Sequence, residues 1–263
     1  MNSLQKKADS FHSLHVRGAP LVLCNVWDAG SAKAVAGAGA RAIATSSWAV
    51  AAAQGCADGE RLPVEFVLSN ASRIVQATSL PVSVDIESGY GTGAEEVADT
   101  VRSLLEVGVV GCNIEDRFPE SGGLRTIAQQ VERIRAARAA AAEVGVRFFI
   151  NARTDVFLES SVEQHSRALV DVALGRGMAY AEAGADGLFV PGLNDPELVR
   201  ELCDRSGLPV NVMLSDLEAG RGPWVSAGVA RVSYGPAPYL QAMRAWGEQV
   251  RRVSGTPAPA GPV

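Results

Sequence analysis

"AGARAIATS" (38–46) is an alanine-rich helical end, a glycine, and then a short apolar run. The phrase recurs as "VGVVGCNIE" (107–115), "VGVRFFINA" (144–152), "AGADGLFVP" (183–191) and "AGVARVSYG" (227–235). The glycine is the expected helix C-cap, because it takes the left-handed conformation without a Cβ clash. The run after it reads as a strand. Three further runs are entered through proline: "APLVLCNVW" (19–27), "LPVSVDIE" (80–87) and "LPVNVMLS" (208–215). Proline suits a first strand position. Five phrases and three proline-led runs make eight strands.

Helical patterns fill the gaps, most clearly at 94–107, 126–143, 161–183 and 236–252. In 126–143, Ile127, Val131 and Ile134 keep a 3–4 spacing, while Glu132, Arg133, Arg135 and Arg138 read as the polar face. Strands alternating with helices imply parallel βαβ units, and near-continuously apolar strands imply a sheet covered on both faces. Eight such units predict an α/β fold of the (β/α)8 TIM barrel type. A doubly wound open sheet is the alternative, but its first turn usually carries a glycine fingerprint, and "CNVWDAGSA" (24–32) is a poor one. One catalytic domain is expected over 1–253, with an N-terminal arm or extra helix in 1–17. The Pro/Gly/Ala-rich tail 254–263 is expected to be disordered.

The chain has 263 residues, is 47% hydrophobic and carries a net charge of −5, enough apolar content for a sizeable core. The acidic balance and the lack of a Lys/Arg-rich run argue against a nucleic-acid partner. No long apolar span or leader pattern suggests a membrane or secretory role. Cys24, Cys56, Cys112 and Cys203 are scattered without a CxxC pair, which fits reduced thiols in a cytoplasmic protein. His12 and His15 lie in the polar arm and read as non-catalytic.

Active sites of such barrels lie at the C-terminal strand ends. Those ends supply Asn25 and Asp28, Ser46 and Ser47, Asp85 and Glu87, Asn113 and Glu115, Asn151 and Arg153, Pro191, Asn211 and Ser233. Asp85 and Glu87, two apart, can face one point. Glu115 can join them from the next strand, and Asp58, in "QGCADGE" (54–60), can close over them. Several carboxylates together raise one another's pKa or demand a cation. An all-oxygen set favours Mg²⁺ or Mn²⁺ over zinc. The competing reading pairs these acids with Arg117, Arg125 or Arg153 in structural ion pairs. Arg153 also suits bidentate carboxylate or phosphate binding. "GYGTG" (89–93) reads as a turn needing close backbone approach, with Thr92 as an N-cap.

"NVWDAGSAKAVAGAGARAIATSS" (25–47), "DGE-LP" around Asp58, "LPVSVDIESGYG" (80–91), "GCNIEDR" (111–117) and "NARTD" (151–155) together resemble the isocitrate lyase/phosphoenolpyruvate mutase superfamily. The likeness runs from about 18 to 245 and is closest to small phosphorylmutase-like and methylisocitrate lyase-like members. It implies a barrel whose last helix swaps between subunits, commonly in homotetramers built as a dimer of dimers. It also implies Mg²⁺ and a small α-oxo or α-hydroxy carboxylate substrate. Asp85 would be the direct metal ligand, with Asp58, Glu87 and Glu115 holding its waters. Arg153 would bind the substrate carboxylate and the Ser46–Ser47 turn the oxo-acid group. Asn113 and Asn211 are placed in the pocket, as is Trp48 beside the turn.

The loop "EDRFPESGGLRT" (115–126) departs from the family. It lacks the Cys of lyases and the Lys-Thr-Asn-Ser pattern of phosphonopyruvate-processing members. Arg153, Glu115 and Glu120 are therefore the candidate catalytic residues, with Gly122 and Gly123 permitting lid motion. The expected reaction is C–C lysis through an enolate-like intermediate. Phosphonomutase-type P–C chemistry, oxo-acid hydrolysis and a non-catalytic oxo-acid and metal binder are the alternatives.

Overall fold

The protein is described by a computed structural model covering residues 3–119 and 121–255. Glu120 and residues 256–263 of the expected tail lie outside the described residues.

All eight strands form where the phrases place them. They are β1 (Leu21–Leu23), β2 (Ile43–Ala44), β3 (Val82–Asp85), β4 (Gly111–Glu115), β5 (Phe149–Arg153), β6 (Gly187–Phe189), β7 (Val210–Met213) and β8 (Arg231–Ser233). They pair in parallel in the order β1-β8-β7-β6-β5-β4-β3-β2. A parallel bridge between Val26 and Thr45 joins the two ends, with Val26 N donating to Ala44 O at 2.9 Å and Ser46 N to Val26 O at 3.2 Å. Closure makes this a (β/α)8 barrel and rules out the open sheet.

The helices are α1 (Ser3–Ser13), α2 (Ala29–Gly37), α3 (Ser47–Ala53), α4 (Val64–Ala77), α5 (Ala94–Glu106), α6 (Ile127–Val144), α7 (Arg167–Glu182), α8 (Pro196–Arg205), α9 (Gly222–Ser226) and α10 (Ala237–Ser254). Gly145 (φ 69°) closes α6 in the left-handed conformation, as the recurring phrase requires. The helix expected over 161–183 is interrupted. A 3₁₀ turn at Val162–Gln164 ends in an extended His165, whose Nε2 is 2.9 Å from Phe157 O. Only from Arg167 does the α-helix run.

Two other expectations need correction. Arg133 is not on a solvent face: it is 3% exposed, and its guanidinium gathers the carbonyls of Gly91, Thr92 and Gly93 at 3.0–3.1 Å, together with Ser88 O. The carbonyls of the "GYGTG" turn thus converge on one buried cation. Gly91 is needed because a Cβ there would stand 2.2 Å from Glu96 Cβ. Nor does Thr92 cap α5. Gly93 holds the N-cap position and its N–H donates to Glu96 Oε2 at 3.1 Å.

The N-terminal arm is the helix α1, and it plugs the lower end of the barrel. Phe11 meets the Phe149 ring edge-on at 5.4 Å, and His15 stacks on that ring at 4.0 Å. Ala8, Phe11 and Leu14 belong to the main core cluster. With the lower end sealed, the upper strand ends remain for chemistry. No helix among the described residues is long and apolar enough to cross a membrane.

Candidate active site

Asp85 is the last residue of β3. Its Oδ2 accepts from Ser47 Oγ at 3.1 Å and lies 3.5 Å from Ser47 N, and its own N–H donates to Thr45 Oγ1 at 2.9 Å. The side chain is thereby fixed at the mouth, where a pocket of 170 Å³ is lined by Asp85, Asp58, Ser46, Ser47, Asn113 and Arg153 among others.

Glu87 comes to this site by a different route from the alternation expected of it. β3 stops at Asp85, and Glu87 sits beyond it at φ 52°. Its Oε2 accepts from Gly59 N and Glu60 N, both at 2.7 Å, and its Oε1 from Tyr90 Oη at 3.1 Å. Glu60 Oε1 in turn accepts from Ser88 Oγ at 2.7 Å and Tyr90 N at 2.9 Å. Glu60, Glu87 and Tyr90 are the only non-glycine residues at positive φ among the described residues. Each such conformation costs about 1–3 kcal/mol, and all three are offset by this one clasp between the 58–60 and 87–90 loops.

Glu115 ends β4 and Arg153 ends β5; Oε2 and Nη1 are 2.8 Å apart. Arg153 also donates from Nε and Nη2 to Asp155 Oδ1 and Oδ2 at 2.6 and 2.9 Å. The structural ion pair and the ligand-binding reading are compatible, since a guanidinium has five N–H groups. Nε and one Nη2 hydrogen serve Asp155 and Nη1 pairs with Glu115, so both Nη atoms keep N–H groups that a carboxylate could take.

The carboxylates are electrostatically crowded. Burial pushes Glu87 up to about 7, with Asp58 adding to the effect. Burial pushes Glu115 up to about 8 against the pull of Arg153. Asp58 is raised, first by burial and then by Asp85. Among the described residues no three His, Cys, Asp or Glu side chains are gathered to ligate one ion directly. This arrangement does not fit a zinc-type cage. Asp58 and Asp85 are the carboxylates that line the pocket and could hold an ion that keeps most of its waters, as Mg²⁺ does; Glu87 and Glu115 stand outside that lining.

The remaining sequence-derived residues separate into layers. Ser46 caps α3 by accepting from Ala49 N at 3.4 Å, and Trp48 meets Tyr239 edge-on at 6.1 Å at the rim. Asn113 lines the pocket. Asn211 lies below it, 1% exposed, with its Oδ1 taken by Asn151 Nδ2 and its Nδ2 by Val212 O, Arg231 O and Ser233 Oγ. It supports the floor and does not line the pocket. Asn25 ties the barrel seam, donating to Thr45 O and accepting from Tyr234 N and Gly235 N.

The 116–126 loop is anchored at both ends. Buried Asp116 accepts from Asp155 N, Tyr180 Oη and Arg176 Nη1 at 2.8–3.0 Å. Arg125 stacks over Phe118 at 4.5 Å and donates to Ser88 Oγ at 3.3 Å. It faces a neighbouring 430 Å³ cavity with Gly59, Glu60 and Phe118.

Asp155, Asp116, Glu60, Tyr90 and Arg231 went unmarked in the sequence. The first two follow marked residues within "NARTD" and "IEDR". Arg231 had a plainer signal, a charge inside the apolar run "ARVSYG".

The phosphoenolpyruvate phosphomutase family model matches residues 11–254. An uncharacterised protein of Mycobacterium tuberculosis H37Rv is 36% identical over 93% of this chain and 89% of its own. The 2-methylisocitrate lyase of Escherichia coli K12 is 30% identical over 82% and 73% respectively. A crystal structure from Burkholderia cenocepacia J2315, provisionally called a phosphonomutase, superposes with a TM-score of 0.92 at 51% identity, covering 95% of this chain and 99% of that one.

Proposed function

This chain belongs to the phosphoenolpyruvate phosphomutase family, whose members include lyases and mutases, and from that premise we propose that it is a Mg²⁺-dependent enzyme acting on a small α-oxo or α-hydroxy carboxylate. The observation that carries the reading is Arg153, with N–H groups to spare on both Nη atoms, lining one mouth together with Asp85. A cation at Asp85 would supply Lewis-acid polarisation of the substrate oxygen. The chain's own residues do the rest. Arg153 clamps the carboxylate as a planar fork, and Asp155 fixes the plane of that fork. Ser47 and Thr45 hold Asp85 in place, and Asn113 offers its amide to the substrate oxygen. Phe189 and Met213, which line the same pocket, exclude water from the developing enolate.

The reaction proposed is retro-aldol C–C cleavage, supported by the similarity to 2-methylisocitrate lyase. The second reading, P–C bond mutase chemistry, is favoured by the similarity to the B. cenocepacia protein. A panel of 2-hydroxy and 2-oxo di- and tricarboxylates plus phosphonopyruvate, with Mg²⁺, separates them. Release of pyruvate or glyoxylate, lost in Asp85→Ala, supports the lyase. A rearranged phosphonate with no cleavage product supports the mutase. Oxalate binding without any turnover would leave only the metal and oxo-acid binder.

The working unit is proposed to be a homo-oligomer. α10 buries no residue in its own barrel, and it exposes Leu240, Met243, Trp246, Val250 and Val253 along one stripe. Beside β1 and α2, where the eighth barrel helix would pack, lies a 590 Å³ groove lined by Val22, Cys24, Val35 and Ala38 among others. A second copy's α10 is the occupant whose shape and polarity suit it.

A further inference from the structure

Arg231 is the first residue of β8, at the plugged end of the barrel, and is 1% exposed. A charge this deep normally faces a carboxylate. None among the described residues lies within ion-pair distance of it. Its Nη2 instead donates to Asn113 Oδ1 at 3.1 Å. Its Nε and Nη1 find no partner. Burial pushes its pKa down to about 10, and Asp85 pulls against that.

Three asparagines complete a chain across the barrel floor. Asn211 Nδ2 donates to Val212 O at 2.7 Å and Arg231 O at 3.2 Å. Those carbonyls can only accept, so the amide of Asn211 cannot be reversed. Its Oδ1 must then face Asn151, whose Nδ2 donates to it at 3.0 Å and to Asn113 Oδ1 at 2.9 Å. At the other end stands Arg231, which can only donate. Asn113 Oδ1 is thus claimed by two donors, and Asn113 Nδ2 donates to no protein atom among the described residues. Gly187 is part of the device, because a Cβ there would stand 2.6 Å from Asn151 Oδ1.

We propose that Arg231 is a positioning residue that holds the Asn113 amide in one orientation, so that Nδ2–H points into the pocket as a donor to an oxyanion of the substrate. This rests on the reading of the pocket as an oxo-acid site. A neutral side chain such as glutamine in place of Arg231 could accept as readily as donate, and Asn113 could then turn its carbonyl toward the substrate. The guanidinium prevents that.

The test uses the full chain with Mg²⁺ and oxalate as the probe, read by calorimetry. Asn113→Ala and Arg231→Gln should each weaken oxalate binding by about tenfold or more, the worth of one hydrogen bond to a charged group. Arg231→Lys, still donor-only, should stay within about threefold of wild type. The double variant Asn113→Ala/Arg231→Gln should bind no more weakly than Asn113→Ala, because Arg231 acts through Asn113. Asn113→Asp should keep its melting temperature, gaining an ion pair with Arg231, yet lose oxalate. Wild-type affinity in Arg231→Gln, or losses that multiply in the double variant, overturns the proposal. If wild type does not bind oxalate, the oxo-acid reading fails by itself. A neutron crystal structure of the ligand-free protein then decides the inference: deuterons on the pocket side of Asn113 uphold it, and the reverse orientation refutes it. The same neutron structure decides if Arg231→Gln fails to fold.

Discussion

Asp155 grips Arg153 on two sides of its guanidinium, Oδ1 to Nε at 2.6 Å and Oδ2 to Nη2 at 2.9 Å. Asp155 is itself held, its N–H donating to Asp116 Oδ1 at 3.0 Å. The fork that faces the pocket is therefore oriented before any ligand arrives, and the entropy of orienting it is not lost on binding.

Asp155→Asn should accordingly leave the barrel folded but loosen the fork. Of the two carboxylate oxygens that accept from Arg153, one becomes an NH2 that cannot accept, so one charge-assisted bond is lost, worth about 1.5–3 kcal/mol. Oxalate affinity measured by calorimetry should drop by about tenfold, with Mg²⁺ affinity at Asp85 unchanged. Equal loss of both ligands would show that Asp155 serves the fold and not the fork.

The barrel was legible because its signal is local and repeated. A glycine that must end a helix and an apolar run that must start a strand recur with little interference. The site was legible as far as strand ends reach, which brought Asp85, Glu115 and Arg153 together. It stopped being legible where the backbone leaves regular geometry or a side chain reaches across the core. Glu87 arrives through a left-handed turn that period-2 reasoning cannot anticipate. Asn211, expected at a strand end, is the second residue of β7 and spends both side-chain polar atoms on the floor. Arg133 looked polar by spacing, but its partners are loop carbonyls about forty residues back in the chain.

The raised carboxyls make stability depend on pH and on cations. A carboxyl whose folded pKa stands above its unfolded value favours the folded state while protonated. For Glu87 and Glu115 that contribution is whole below the ordinary value of 4.5 and is lost as pH rises through about 7 and about 8. The metal-free protein should therefore melt at lower temperature at pH 8.5 than at pH 5.5. Added Mg²⁺ should raise the melting temperature more at pH 8 than at pH 6, because only ionised carboxylates hold the ion and its waters. Scanning calorimetry with and without Mg²⁺ checks this, and an equal increment at both pH values would contradict it.

Asp116 carries the anchor of the 116–126 loop. It is fully buried, and its Oδ2 serves Tyr180 Oη at 2.8 Å and Arg176 Nη1 at 3.0 Å. Asp116→Ala strands a largely buried guanidinium and should cost about 3–5 kcal/mol in urea unfolding. Tyr180→Phe removes one donor while Arg176 still serves the carboxylate, and should cost about 1–2 kcal/mol. If Asp116→Ala costs no more than Tyr180→Phe, the pairing with Arg176 contributes little.

The stripe on α10 makes the strongest demand on a partner. Trp246 is 65% exposed and Val253 79%, a poor state for large apolar side chains aligned on one helix face. The groove beside β1 leaves apolar strand and helix surface open as well. Covering each with the other removes both costs at about 25 cal/mol per Å² of apolar area. Within one chain α10 buries no residue, and the proposed exchange joins two copies. Light scattering at micromolar concentration should find an oligomer. Trp246→Glu on the helix and Val22→Glu in the groove should each shift it toward the monomer while circular dichroism keeps the barrel's signature. A wild-type monomer, or an oligomer indifferent to both charges, would refute the exchange.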